Sequence, residues 1–516
     1  MRALCLLFLP FGLSTHALAQ DLETPGTIES DGSPVQVQLD FDAEWHEYNN
    51  LDFRDLDESS DQAILDSDDK FSFAYTGISA DILYRPDSGP LSLVTNFGHR
   101  GLWGGDQLGM TNSFGSWLVV GALHIDYRLS ETNDRHRLIV GRQYFEIGGL
   151  GGTPDYVFAD VVDLARVDIG LGTAATLVLV PVNVAATTPS DDQAAFLEYT
   201  AQTESTPYGL RGDRLTKRHG MLLVVDGLDA PVEGRAYAFY TDIGGPGSGA
   251  DISYQGTQGN FTDNDWVMNY GLRLQVAAGP VTPFAAFDGS MGIDRKELIV
   301  NDVDTRGSAI TAGATVDTEQ EPGTGGFKAT ASFFRALGPA YGADGLMYSH
   351  GFVGMKGRHT GGTIAGRFLG WHPTAYVGRD GIADDPHEPD RKTGTQVIHA
   401  SAGFDLAMGL GASVSWWSFA DTGLSGVDIN NLDLIDPPYG YSREAYAAQE
   451  RLGLSLGQEL NLEVHGKLSE RLELYANGAM LLPGAFYAIE VARVAGTQLG
   501  GEATALGAYA GARASF

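Results

Sequence analysis

The residues best placed to do chemistry in this chain are arginines, carboxylates and amides spaced to share one face of extended segments. Asp126 and Arg128 follow His124 at intervals of two, Asp168 follows Arg166, Asn461 follows Glu459, and Arg100 and Arg273 each stand four residues after an asparagine, Asn96 and Asn269. Even spacing puts side chains on one side of a strand. A guanidinium pairs bidentately with a planar carboxylate, so an anionic solute is one ligand for such a face. Arg100, Arg128, Arg166 and Arg273 therefore form a candidate solute-binding set with Asn96, Asp126, Asp168, Asn269 and Glu459. Arg142 joins it with its side unassigned, because both faces of 138–145 are apolar. Two outcomes are open. Free arginines along a narrow aqueous path select by sign. Arginines paired with Asp81, Asp126, Asp168 or Glu459 only brace a wall, and the number of acids sharing their parity keeps a neutral or mixed-charge solute open.

Other arrangements carry less. His124 with Asp126, and His399 near Ser401, include no distinguishable nucleophile, so no catalytic residue is assigned. Asp66-Ser67-Asp68-Asp69 and Asp384-Asp385 lack the Gly and Glu spacing of a calcium loop, so no metal ligand is assigned. Gly148 to Gly152 is not followed by Lys-Ser/Thr and is no phosphate cradle, and nothing else calls for a cofactor. Trp371, Trp416 and Trp417 read as aromatics of a membrane interface.

The elements that must position these residues are strands. In 265–276, Trp266, Met268, Tyr270, Leu272, Leu274 and Val276 share one face, opposite Asn269, Arg273 and Gln275. In 117–129, Trp117, Leu123, Ile125, Tyr127 and Leu129 oppose His124, Asp126 and Arg128. Such runs recur from 35 to the end, joined alternately by short turns such as Gly279-Pro280 and by long polar segments such as 185–217, 294–325 and 421–450. An apolar side against a polar side, with short turns alternating with long loops, predicts an all-β fold: a closed antiparallel transmembrane β-barrel of about 18 strands, with 16 to 20 allowed. The run at 346–356 is the one an even count discards, which leaves 362–372 as a strand and 337–361 as a long connection on the short-turn side. The last run, 502–516, places Leu506, Ala508, Ala510, Ala512, Ala514 and Phe516 outward and Tyr509 and Arg513 inward, and it should close against 35–48.

The start of the chain fits export. Arg2, an apolar run from Ala3 to Leu13, and Ala17-Leu18-Ala19 read as a signal peptide over 1–19 cleaved after Ala19, followed by a flexible lead-in at 20–34 and a single barrel domain at 35–516. The one cysteine, Cys5, lies within the signal, so no disulfide or thiolate metal site is expected in the mature chain. A net charge of −33 excludes a generally basic nucleic-acid binder. No mature segment approaches the apolar length of a membrane helix, although hydrophobic residues make up 43% of the chain and glycines number 68.

Two stretches carry a further pattern. One is Leu138-Ile139-Val140-Gly141-Arg142-Gln143-Tyr144-Phe145, followed by Asp160 to Asp168 with Arg166. The other is Leu456-Gly457-Gln458-Glu459-Leu460-Asn461-Leu462, followed by Leu472 to Gly478 and Leu481-Leu482-Pro483-Gly484. Both resemble the alginate-export family of outer-membrane barrels. The resemblance implies an eighteen-stranded barrel whose arginine-lined constriction passes an anionic uronate polymer, and it implies a lumenal Arg142. A terminal aromatic like Phe516 resembles the insertion signal read by barrel-insertion machinery. The expected partners are outer-membrane lipid, that machinery, and a saccharide or anionic polar solute, with no nucleic acid. The expected function is passive transport across a bacterial outer membrane. The alternative is a surface-anchoring or adhesive barrel that binds polysaccharide or a partner through its long loops.

Overall fold

The computed structural model describes residues 34–49, 71–86, 89–103, 116–185, 216–226, 231–246, 262–294, 303–318, 325–338, 340–341, 347–349, 351–355, 360–368, 375–376, 394–406, 409–422, 455–484 and 504–516. The expected signal peptide and most of the lead-in lie outside these residues.

The described chain is an all-β, closed antiparallel barrel of 18 strands. In chain order they are β1 (Val35–Asn49), β2 (Phe71–Tyr84), β3 (Leu91–Trp103), β4 (Ser116–Arg128), β5 (Arg137–Glu146) and β6 (Ala159–Leu171). Next come β7 (Ala175–Ala185), β8 (Thr216–Val225), β9 (Val232–Pro246), β10 (Thr262–Val276), β11 (Val281–Asp294) and β12 (Val303–Asp317). The last six are β13 (Gly326–Ala336), β14 (Thr395–Asp405), β15 (Leu410–Asp421), β16 (Ser455–Ser469), β17 (Leu472–Pro483) and β18 (Ala505–Ser515). Each pairs with its neighbours in sequence, and β1 pairs with β18 from Asp40↔Ser515 to Asn49↔Leu506, so no edge is left open. Closure matters because hydrocarbon offers no partner to a free backbone N–H or C=O.

Period-two patterning decides which way each side chain points. On β1 the apolar Val35, Val37, Leu39, Phe41 and Trp45 are exposed on the outside, while Glu44, His46 and Tyr48 are buried inside. The outward band continues through Leu123 and Ile125, Leu272 and Leu274, Leu460 and Leu462, and Leu506. The close-packed core lies in the lumen. There Phe145, Phe158, Phe239, Phe334, Phe352 and Met355 form one buried cluster. Each fully buried aromatic of this kind is worth roughly 2–3 kcal/mol against exposure.

The strand count agrees with expectation, but its composition differs. The segment 303–317, expected within a long loop, is β12. Its outward face opens with Asp304, Arg306 and Ser308 and its inward face carries Gly307, Ala309 and Gly313, so it lacks the bulky alternation of its neighbours. Conversely, the described part of the expected strand 362–372 is no strand: Gly362–Phe368 forms a π-helical turn. Its Ile364 and Ala365 are fully buried within the lumen, so apolar residues that imitate a lipid face serve an internal one. The discarded run at 346–356 belongs to the same insertion between β13 and β14, with short strand pieces at Met347–Ser349 and Val353–Gly354. Since β13 rises from the turn at 318–325 and β14 descends to the turn at 406–409, this insertion joins the long-loop rim and not the short-turn side.

Candidate functional site in the barrel lumen

Two inward segments divide the lumen. The first, Ile147 to Phe158, follows β5. Its ring is closed by Asp155, whose carboxylate accepts the N–H groups of Gly148 at 2.8 Å, Val157 at 3.0 Å and Phe158 at 3.2 Å. Gly148 has φ +106, and a Cβ there would collide with the Arg235 guanidinium, which donates to the Ile147 carbonyl at 3.0 Å. Arg273, on β10 and only 4% exposed, fastens this ring to the wall. It pairs with Asp155 at 3.0 Å and with Asp288 of β11 at 3.3 Å, and it donates to the Gly148 carbonyl at 2.6 Å. Tyr237 of β9 donates to the same Asp288 at 2.6 Å, and its ring lies 5.6 Å from the Arg273 guanidinium.

The second segment is the insertion after β13, and it reaches from one wall to nearly the opposite one. On the first side, Arg218 of β8 donates to the Met355 carbonyl at 2.8 Å, Asn269 of β10 donates to the Val353 carbonyl at 2.6 Å, and Ser290 of β11 accepts the Val353 N–H at 3.1 Å. On the far side, the turn at 362–368 is held by Glu459 of β16 and Asn477 of β17. Tyr156 joins the two segments by donating to the Thr360 carbonyl at 3.1 Å. Burial pushes the Tyr156 phenol above its ordinary value, so it keeps the proton it donates.

The candidate residues fall into distinct roles. Asn96, Asp126, Asp168, Asn269, Arg273 and Glu459 are inward and buried. Asn96 donates to Asp81 at 2.7 Å, Asp126 is paired with Arg137, and Arg166 pairs with Asp168 at 3.2 Å. Arg128 sits at the short-turn rim, exposed, and donates to the Gly89 carbonyl at 3.1 Å. Arg100 stands opposite Gly77 on β3, and its side chain lies outside the described set. Arg142 departs from the lumenal side that the resemblance implied. Its register partner Leu123 is 48% exposed on the outer face, and Arg142 forms a bidentate pair there with Asp163, at 3.0 and 3.1 Å. Trp416 is outward as expected, whereas Trp417 faces the lumen and stacks on His399 with ring centroids 3.8 Å apart.

Pattern reading missed Arg218, Asp155 and Asp288. Arg218 opens a strand whose register a bulge near Val180 shifts, Asp155 lies in a loop, and Asp288 shares its face with Phe284 and Ala286, which hides the polarity of that side. A second inward group was also overlooked. His46 is fully buried against Glu44 at 2.7 Å and stacks on Phe73 with centroids 4.6 Å apart.

A closed even-stranded antiparallel barrel with an apolar outer band, a polar inner wall and inward loops defines an outer-membrane β-barrel, and a bacterial outer membrane is where the chain resides. No family model matches the chain, and no curated protein matches it in sequence. The alginate-export resemblance therefore finds no support there. Solved structures similar to it include outer-membrane porins of the OccK and OprB type. OccK9 (OpdG) of Pseudomonas aeruginosa is 11% identical with a TM-score of 0.46, over 93% of this chain and 98% of that one. OccK2 (OpdF) of Pseudomonas aeruginosa in complex with glucuronate is 9% identical with a TM-score of 0.44, over 93% and 96%. The high-pH structure of Pseudomonas putida OprB is 9% identical with a TM-score of 0.43, over 95% and 96%. At these scores the likeness carries no weight of its own, and the barrel stands on the register and closure described above.

Proposed function

We propose that this barrel is a passive channel for a saccharide or another small polar solute, narrowed by the loop at 147–158 and the insertion after β13. The supporting observation is the way both segments are fastened. Each is tied to the inner wall through buried polar contacts, while Asp40, Asp42, Tyr475 and Arg513 line the inner wall of β1, β17 and β18 toward their short-turn ends. Buried polar groups are costly unless hydrogen-bonded, and the bonds made here rigidify both segments against the wall.

The finer reading, an anionic uronate polymer leaving by an arginine ladder, has less behind it. Of its five arginines, Arg166 and Arg273 are ion-paired inside, Arg142 is paired outside, Arg128 is at the rim, and Arg100 has no described side chain. A neutral or mixed-charge saccharide fits better. Cleavage after Ala19 and recognition of the Phe516 strand by insertion machinery belong to the same proposal. Planar-bilayer conductance and swelling of proteoliposomes in sugars of graded size test it. Steps of conductance with size-limited sugar entry are expected. A sealed barrel whose loops retain polysaccharide would favour the adhesive alternative.

A further inference from the structure

The charges that face the lumen are distributed unevenly around the barrel. On β4 to β6 and on β10 and β11, arginines and acids come in matched sets: Arg137 with Asp126, Arg166 with Asp168, and Arg273 with Asp155 and Asp288. The wall that runs from β17 through β18 to β1 and β2 is different. Its inward positions carry Glu473, Asp40, Asp42, Glu44 and Asp81, and the outward Leu474, Leu39, Phe41 and Trp45 beside them fix that parity. On the same inner face stand Arg513, 3.8 Å from Asp42, and Arg100 of the adjoining β3. Two guanidiniums against five carboxylates give the inner face of these strands a nominal net charge of −3.

A second observation on this wall concerns an amide. Asn96 of β3, only 2% exposed, donates through Nδ2 to Asp81 at 2.7 Å. The Oδ1 of the same amide is buried and has no hydrogen-bond partner among the described residues. Asp81 stands opposite Gln38 of β1, which donates to Asp40 at 3.1 and 3.2 Å. The unmatched oxygen thus lies beside one carboxylate and one strand away from a second. A buried acceptor without a donor is costly, and neighbouring carboxylates add only further acceptors. An ammonium supplies three donors and no acceptor, and its charge answers that of the wall. Among the described residues these acids do not gather into a group that could hold a metal ion, which fits contact with an organic cation.

We infer that the solute of this channel carries a protonated amine, recognised by the wall of β17, β18, β1 and β2, with Asp40, Asp81 and the Asn96 amide oxygen as its subsite. The inference rests on the channel reading above and gives the solute a sign. A wall of one charge beside a narrow aqueous path concentrates the opposite charge and speeds its entry. The matched sets on the other strands add little to that field, because each arginine there is balanced by an adjacent acid.

Uptake into proteoliposomes carrying the full chain tests it, with heat-modifiable migration on gels as the check that each variant has folded. The probes are three labelled sugars of one ring size and different charge: glucosamine with its amine protonated, glucose and glucuronate. Glucosamine should enter fastest, by about tenfold over glucose, the low end of what charge focusing gives a lined cleft. Glucuronate should enter slowest. Asp40→Asn with Asp81→Asn should bring the glucosamine rate down to that of glucose, and Asn96→Leu should lower it part of the way. If the double variant does not fold, Asp40→Asn alone and the wild-type order decide. Equal entry of the three sugars, or fastest entry of glucuronate, overturns the inference while leaving the channel reading standing. A preference for glucosamine that survives loss of these carboxylates overturns the subsite. Entry of none of the three overturns the channel reading and the inference with it.

Discussion

Phe516 and Leu39 exchange a pair of backbone hydrogen bonds, with the Phe516 N–H on the Leu39 carbonyl at 2.8 Å and the Leu39 N–H on the Phe516 carbonyl at 2.9 Å. The last residue of the chain thus lies within the seam that closes the sheet. Its ring is 65% exposed on the outward side, below Leu506 on the same face.

Phe516→Ala keeps both seam bonds and removes only the ring, whereas deletion of Phe516 removes everything. Deletion should cost about 2 kcal/mol for two backbone bonds, while Phe516→Ala should cost less in equilibrium stability. Urea titration of the barrel in lipid vesicles, read by heat-modifiable migration, separates the two. Equal losses from both variants would shift the seam's importance from the backbone to the ring.

Arg273 holds the loop at 147–158 between Asp155 and Asp288. Arg273→Ala strands two buried carboxylates and should cost about 3–5 kcal/mol, the range for breaking a buried pair from one side. Limited proteolysis should then cut within 147–158. Arg273→Lys should rescue little, because a point ammonium cannot span both acids and the Gly148 carbonyl. Unchanged proteolysis of both variants would mean that apolar packing fixes the loop instead.

Arg142 and Asp163 form their pair on the lipid-facing side of β5 and β6. Each single replacement by leucine leaves an unpaired charge toward the membrane, whereas the double replacement leaves none. The double variant should match or exceed the wild type in stability, and the singles should lose about 1–3 kcal/mol, by the cost of a lone charge on a barrel's outer face. A double-mutant cycle in vesicles measures this. Reversal potentials should not move in any of the three, since neither side chain reaches the lumen.

The β1 wall carries Asp40, Asp42 and Glu44 on the inward side, with Arg513 approaching Asp42 at 3.8 Å. Asp40→Asn with Asp42→Asn should shift the reversal potential in a salt gradient toward anion permeation by more than Arg166→Ala shifts it the other way. Arg166 is already balanced by Asp168. The reverse ranking would restore the arginine ladder as the selecting element.

The barrel was legible in the sequence because its rule is local. A strand in a lipid-facing sheet must alternate, and the alternation survives in single segments such as 265–276 and 117–129. Where the outward face weakens, as at Asp304, Arg306 and Ser308 of β12, the signal fails. Where a lumenal turn is apolar, as at Ile364 and Ala365, it is imitated. Those two departures offset each other, which is why a count near 18 was reached through a partly different set of strands.

The amino-acid sequence by itself determined the class of the molecule and the face of most of its side chains. Period two and the drive to put apolar groups against lipid and polar groups inside need no distant partner. Arg142 lay beyond this rule, because its strand is apolar on both faces and only pairing with β4 placed it outward. Only the tertiary structure decided which lumenal groups are free. Whether Arg273 meets Asp155, whether Glu459 meets the backbone at 363–365, and whether Asn269 meets Val353 depend on loops that fold back through the lumen from distant points in the chain. Those contacts are set by three-dimensional packing, and no spacing along the chain encodes them.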